Sequence, residues 1–372
     1  MLRVGITGQN GFMGSHLYNY LGLKDNITRI TFEKTYFDQE DLLDAFVKNC
    51  DVIVHLAAMN RHQDQQVIYD TNIHLVDKLI RSCERCRVSP KIIFSSSTQE
   101  ERDNLYGQSK KEGRLRFENW AGKNNASVST LIIPNVYGPF GKPFYNSVIA
   151  TFCYQVTHNE TPKIDIDGNL NLIYINELSD VFYREIISEK QQIKSYIVNH
   201  TAEKKVSEIL ERLNSFKSKY FENGVVPDLT DAFEIHLFNT FRSFIPEDYF
   251  PKKFTLHTDD RGSFVEIMRA DTPGQSSYST TKPGITRGNH YHTRKVERFA
   301  VISGKARIQL RKINTNSVIN YYLDGEEPAY VDMPVWYTHN IKNIGDSELI
   351  TLFWINEPYD PSDPDTYFEN VE

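Results

Sequence analysis

The sequence predicts an α/β region followed by an all-β region, and three observations carry that prediction. Up to about residue 200, short apolar runs alternate with longer amphipathic segments, the order of a parallel, doubly wound sheet. The chain has 372 residues, more than a single hydrophobic core usually supports. After an aromatic, proline-punctuated stretch at residues 241–254 the segments shorten and helical periodicity stops. A boundary at 244/245 follows, with one domain over 1–244 and a second over 245–372.

In the first domain, segments 2–7, 52–57, 91–95 and 127–133 read as strands. The first three are mostly apolar or β-branched on both faces, as strands covered by helices should be. Segments 13–23, 71–87 and 106–123 have the length and periodicity of helices. In the second domain, 263–269, 298–301, 306–311, 318–322, 329–331 and 349–354 read as short strands, several separated by turn signals at 324–328 and 343–346. Such spacing suggests an antiparallel sandwich or barrel.

Composition is that of a globular protein, 40% hydrophobic and 24% charged. A formal net charge of −7 argues against broad nucleic-acid binding, which needs a basic field. No apolar run approaches the ~18 residues of a spanning helix, and Met1–Gly8 reads as a strand and not as a signal peptide, so no membrane insertion is expected. Four cysteines make no disulfide framework, which points to the reducing cytoplasm. Cys83 and Cys86 form a lone C-x-x-C in a polar helical stretch, with no second pair to complete a zinc site.

Thr7-Gly8-Gln9-Asn10-Gly11-Phe12-Met13-Gly14 follows the first strand and opens a helix. Glycines so placed allow a tight turn and bring backbone close to a pyrophosphate at the helix N-terminus, the Rossmann-type arrangement. Tyr106-Gly107-Gln108-Ser109-Lys110 places a phenol and an ammonium at i and i+4, on one helix face. The ammonium is expected to lower the phenol's pKa, readying Tyr106 to exchange a proton with a carbonyl oxygen as hydride passes from or to a nicotinamide.

Together with three further segments, these motifs resemble the extended short-chain dehydrogenase/reductase family over about 240 residues. Asp51–Ala58 is similar to the family's fourth strand, which implies that Leu56, Ala57 and Ala58 line the adenine ribose. Ile93–Thr98 is similar to the strand carrying the catalytic hydroxyl; spacing favours Ser97, with Ser96 and Thr98 as rivals. Ile133-Pro134-Asn135-Val136-Tyr137-Gly138-Pro139 is similar to the segment passing the nicotinamide, which implies a cofactor contact at Asn135. For the ribose, Glu33 suits the 2′-hydroxyl of NAD, whereas Lys34 or Arg29 suits the 2′-phosphate of NADP.

In the second domain, His290 and His292 alternate on a strand and so face one way, Glu297 returns on the next strand, and His339 supplies a fourth donor. Together they resemble the two motifs of the cupin superfamily, a small β-barrel, although Trp336 stands where many members carry glycine. Imidazoles with one carboxylate suit zinc, iron(II), nickel or manganese, and zinc is expected because the paired reaction needs no redox metal. The run from Asp260-Arg261-Gly262 to Arg287-Gly288-Asn289-His290 is similar to nucleotide-sugar 3,5-epimerases. In those enzymes the histidine after Arg-Gly is the general base, a role that metal ligation at His290 would block. Tyr291, Lys295, Glu266 and a metal-bound hydroxide are the other acid/base candidates.

The two-domain order resembles the capsular polysaccharide synthesis CapF family across the whole chain. That resemblance implies a homodimer acting on a UDP-linked 4-keto-6-deoxy amino sugar. The cupin domain would epimerise C3 and the reductase domain would then reduce C4 with NADPH. The product implied is UDP-N-acetyl-6-deoxy-L-talosamine, on the way to UDP-N-acetyl-L-fucosamine. Tyr145 and Asn146 are expected to touch the sugar. Leu170-Asn171-Leu172-Ile173 lacks the arginine with which many extended reductases grip a substrate pyrophosphate, and Lys142 is a candidate replacement.

Overall fold

The computed structural model describes residues 1–189, 193–260 and 262–372; Arg261, part of the epimerase-like run, lies outside the described residues. Contacts divide them into two units, residues 1–151 with 166–206, and residues 152–165 with 207–372.

In the first unit the chain runs β1 (Leu2–Thr7), α1 (Phe12–Leu21), β2 (Ile27–Ile30), α2 (Glu40–Lys48), β3 (Val52–His55), α3 (Gln65–Cys86), β4 (Lys91–Ser97) and α4 (Leu105–Asn124). It continues through β5 (Val128–Ile133), β6 (Asn135–Tyr137), the start of α5 (Val148–Thr157, whose residues from 152 on belong to the second unit), β7 (Asn169–Tyr174), α6 (Ile175–Ile187), β8 (Ile193–Ile197) and β9 (Ala202–Lys205). Six strands form one parallel sheet in the order β2-β1-β3-β4-β5-β8, as the alternation predicted. Ile53, Ile92 and Phe94 of the sheet pack with Val76 and Leu79 of α3 and Phe117 of α4 in one core. Each such side chain contributes about 1.5–3 kcal/mol by leaving water.

Caps correct the expected helix starts. Asp64 accepts a hydrogen bond from the Gln66 N–H at 2.9 Å, so α3 begins at Gln65, six residues before the apolar periodicity becomes visible. Cys83 and Cys86 lie on α3 as free thiols.

Besides residues 152–165, the second unit holds the rest of α7 (Val206–Phe216) and α8 (Ala232–Arg242). α8 joins the β strands through polar side chains: Asn239 donates to the Arg294 carbonyl at 2.8 Å and Arg242 to the Met333 carbonyl at 3.1 Å. The compact grouping therefore starts earlier than the change of periodicity at 244/245. The strands are β10 (Lys252–Lys253), β11 (Leu256–Asp259), β12 (Gly262–Val265), β13 (Gln275–Thr281), β14 (Thr286–Tyr291) and β15 (Glu297–Ser303). Then follow β16 (Lys305–Lys312), β17 (Val318–Asp324), β18 (Ala329–Met333), β19 (Tyr337–Asn343), β20 (Leu349–Ile355) and β21 (Tyr367–Phe368).

Two five-stranded antiparallel sheets, β10-β18-β15-β20-β13 and β17-β16-β19-β14-β21, share a core that includes Phe299, Val301, Ile308, Leu310, Val331 and Ile341. Among the described residues no strand pairing closes them into one barrel, so the all-β expectation takes the form of two layers. A buried Arg298–Asp332 pair at 2.7 Å, with Tyr220 donating to Asp332 at 2.6 Å, ties α7's extension to this core.

Candidate active sites

The first site lies where the chain reverses direction across the parallel sheet. β1 is flanked by β2 and β3, so successive connections leave it on opposite sides, and a crevice opens at the carboxyl ends of β1 and β3. Thr7 ends β1 fully buried, its hydroxyl 2.8 Å from His55 Nδ1. Gly8 has a φ of +75°, and a Cβ on Gly14 would lie 2.1 Å from the Gly8 carbonyl oxygen, so α1 starts hard against the turn. Gly11 precedes α1 without a side-chain cap, and Phe12 and Met13 open the helix with no acidic residue in its first turn. The helix N–H groups and dipole are thus left to an anion.

Leu56, Ala57 and Ala58 run out of β3 beside this turn, the Leu56 N–H donating to the Thr7 carbonyl at 3.1 Å. Asn135 opens β6 on the surface, its amide 3.3 Å from the Asn171 carbonyl. Of the two cations weighed for a 2′-phosphate, Arg29 is engaged elsewhere: it stacks 4.2 Å over the Tyr18 ring and donates to the Tyr18 carbonyl. Glu33 and Lys34 are both exposed.

α4 brings the Tyr-Lys pair to the same edge of the sheet. Asn104 caps it by accepting from the Gly107 N–H at 2.7 Å, and a Cβ on Gly107 would lie 2.0 Å from the Gln99 carbonyl. The first turn of α4 therefore rests directly on the one-turn 3-10 segment Thr98–Glu101 that follows β4. Lys110 is buried, donates to the Ser95 carbonyl at 2.9 Å and stands 5.9 Å from the Tyr106 ring centre. Burial pulls its ammonium down to about 8, the Glu100 charge opposing the shift.

The Tyr106 phenol does not follow the expectation of a lowered pKa: burial, then the neighbouring Tyr145, push it up to about 12. Tyr106 therefore holds its proton at neutral pH. Among the hydroxyls, Ser96 donates to Glu100 and Thr98 is exposed, whereas half-buried Ser97 accepts from the Gln99 N–H at 3.2 Å.

Tyr145 approaches Tyr106 closely enough to affect its ionisation, and Asn146 beside it is exposed. Lys142 lies 5.2 Å from the Tyr145 ring. Sequence reading missed Arg61, which holds this loop by donating to the carbonyls of Phe144 at 2.7 Å and Tyr145 at 3.2 Å. Nothing local marks it, because its partners are 83 and 84 residues away.

The second site gathers the four expected ligands. His290, His292, Glu297 and His339 offer donor atoms within 4.8 Å of one another. β14 and β19 pair His290 with His339, and a bulge between Gly288 and His290 re-aims the strand just before the first ligand. His292 lies one residue beyond β14 and not on it, so strand alternation does not by itself explain its direction.

His292 donates through Nδ1 to the Asp365 carbonyl at 2.5 Å, and His339 Nδ1 lies 3.1 Å from the Tyr337 carbonyl, leaving both Nε2 atoms turned to Glu297 at 3.2 Å. His339 Nε2 is buried and satisfies no hydrogen bond there. Burial pulls His290 down to about 3, helped by the other two imidazoles. For His292 burial acts the same way, but the Glu297 carboxylate overrides it and raises the pKa. Glu297 is held ionised, well below the carboxylate range, because its two imidazole partners outweigh its own burial. A buried carboxylate and three imidazoles with donor atoms within 4.8 Å of one another fit a divalent cation.

Trp336 has a φ of +63°, which explains why glycine is common at this position; its N–H donates to the His292 carbonyl at 2.8 Å. Tyr291 stacks on Trp336 and Tyr367, Lys295 is buried and donates to the Pro364 carbonyl, and Glu266 pairs with Arg269 on the surface. Sequence reading also missed Asp365, whose carboxylate accepts the N–H groups of Thr293, Arg294 and Lys295.

A nucleotide-type turn and a Tyr-Lys helix at the switch point of a parallel sheet set the class. The model of the NAD dependent epimerase/dehydratase family matches residues 4–198, and that of the polysaccharide biosynthesis C-terminal domain matches residues 257–367. The chain is 32% identical to the UDP-2-acetamido-2,6-beta-L-arabino-hexul-4-ose reductase of Pseudomonas aeruginosa, over 98% of each chain. It is 35% identical to the crystal structure of the capsular polysaccharide assembling protein CapF of Staphylococcus aureus, which covers 100% of each chain at a TM-score of 0.61. A probable low-salt glycan biosynthesis epimerase, Agl13 of Haloferax volcanii, is 30% identical over 30% of this chain and 78% of its own length. The chain belongs to the NAD-dependent epimerase/dehydratase family and, within it, to the CapF family.

Proposed function

We propose that the chain is a bifunctional UDP-sugar enzyme: a cupin-type second domain inverts C3 of a UDP-linked 4-keto-6-deoxy-N-acetylhexosamine, and the first domain then reduces C4 with NADPH. The observation that carries this reading is the pairing of two built sites in one chain: Tyr106 and Lys110 on one helix face in the unit that holds the glycine turn, and His290, His292, Glu297 and His339 with donor atoms within 4.8 Å in the other unit. It is supported by a full-length relative named as a reductase of a 4-keto UDP-sugar and by a partial relative named as an epimerase.

The turn from Thr7 to Gly14, with Leu56–Ala58 and Asn135, would hold NADPH, which supplies hydride to C4 when bound. Tyr106 donates its proton to the C4 oxygen, and a phenol held near 12 is the right form for reduction. Lys110 keeps positive charge beside that oxygen as the phenol loses its proton. Ser97 hydrogen-bonds the oxygen, while Tyr145 and Asn146 orient the sugar. In the second domain His290, His292, Glu297 and His339 would hold zinc, which supplies Lewis-acid stabilisation of an enolate oxygen. The C3 proton is acidic only while C4 is a ketone, so inversion precedes reduction. The product is then UDP-N-acetyl-6-deoxy-L-talosamine, made by a cytoplasmic homodimer.

An NMR time course with the UDP-linked 4-keto sugar in D2O tests the order of steps. Without NADPH, deuterium should enter C3 and no alcohol should form; with NADPH, the C4 alcohol should appear carrying C3 deuterium. Reduction without any C3 exchange would favour a second reading, a C4 reductase with a non-catalytic cupin, to which the relative named as a reductase alone also lends support.

A further inference from the structure

A buried carboxylate to which the proposed mechanism gives no role lies between the two halves of the reductase site. Glu100 is 7% exposed and sits on the 3-10 segment joining β4, which carries Ser97, to the loop before α4, which carries Tyr106 and Lys110. One of its oxygens accepts from the Ser96 hydroxyl. The other accepts from Arg114, at 3.1 Å from Nε and 2.8 Å from Nη2. Arg114 stands four residues after Lys110, hence on the same face of α4.

We infer that Glu100 is the positioning residue of the reductase site, a buckle tying the Ser96–Ser97 end of β4 to the catalytic face of α4. This deepens the reductase reading and rests on it. The buckle is placed where a shift would matter most. Ser97 is adjacent in sequence to the Ser96 that Glu100 holds, and Tyr106 precedes Gly107, which is pressed on Gln99 just before Glu100. Arg114 anchors the far side from within α4, so the two catalytic elements share a salt bridge that neither supplies alone. Displacements of about 1 Å at reacting groups can cost about 10²-fold in rate, and a buried carboxylate held by two guanidinium N–H groups resists such displacement.

Glu100 has a second effect through space. Groups facing Lys110 are Ser95 and Phe94 of β4, Tyr106 on its own helix, His55 of β3, and Glu100. His55 is held neutral, its pKa pulled down to about 3 by burial and then by the Lys110 charge. Glu100 is thus the carboxylate that helps Lys110 keep its proton.

The test uses the full-length enzyme with NADPH and a UDP-linked 4-keto sugar. Glu100→Gln should lower kcat by tenfold or more, leave NADPH affinity within about twofold, and move the alkaline limb of the rate profile to lower pH. Because Glu100→Gln removes the main carboxylate partner of the half-buried Arg114, the neutral pair Glu100→Gln with Arg114→Gln is measured in parallel; it should fold and show the same direction of change. Glu100→Asp should recover part of kcat. A folded double variant with wild-type kcat and an unmoved alkaline limb would overturn the buckle while leaving the reductase reading intact. A wild-type chain that oxidises no NADPH with this sugar would sink the reductase reading and the buckle with it.

Discussion

The two candidate sites handle buried charge in opposite ways. In the first unit, burial drives both groups toward neutrality: Tyr106 is pushed up to about 12 and Lys110 down to about 8. In the second, Glu297 stays ionised in spite of burial because imidazoles surround it. The first site holds a protonated phenol beside a buried ammonium, whereas the second gathers an ionised carboxylate and three imidazoles, a donor set that fits a divalent cation. Two motifs of equal clarity in the sequence thus place buried charge in opposite surroundings.

Breaking the contrast at its strongest point, Tyr106→Phe should reduce NADPH oxidation by about 10²–10⁴-fold and leave C3 deuterium exchange intact. Joint loss of both activities would end the division of labour. On the other side, His339→Ala should strip the metal, seen by elemental analysis as a fall from about one ion per chain, without changing NADPH affinity. Retention of the ion would exclude His339 from the ligand set.

Gly107→Ala tests the packing that sets up the first site. A methyl group 2.0 Å from the Gln99 carbonyl must displace the start of α4, and kcat should fall about 10–100-fold. Asp365→Ala is the corresponding change in the second unit: it removes the carboxylate that fixes residues 293–295, and chelator competition should show metal held about 10–100-fold more weakly.

The smallest effect is in pH. Lys110 is charged below its pKa of about 8, so reductase kcat/KM should be level at neutral pH and decline above about 8 as the ammonium loses its proton. A profile flat to pH 9.5, about 1.5 units beyond that midpoint, would show that the Lys110 charge is not needed.

Much of both sites is legible in short stretches of chain. Gly8, Gly11 and Gly14 are set by one turn, and Tyr106 and Lys110 by one helical repeat. Their geometry depends on backbone periodicity, which neighbouring residues express directly. The sequence alone also determined the alternation that yields the parallel sheet and the short strands of the second unit.

What only the tertiary structure decided depends on partners distant along the chain. Arg61 meets the carbonyls at 144 and 145, Asp365 meets residues 292–295, and α8 joins the β unit through Arg294 and Met333. The protonation of Tyr106 belongs here too. Sequence placed an ammonium one helical turn away, but burial and the neighbouring Tyr145, which only folding supplies, raise the phenol's pKa so that it keeps its proton.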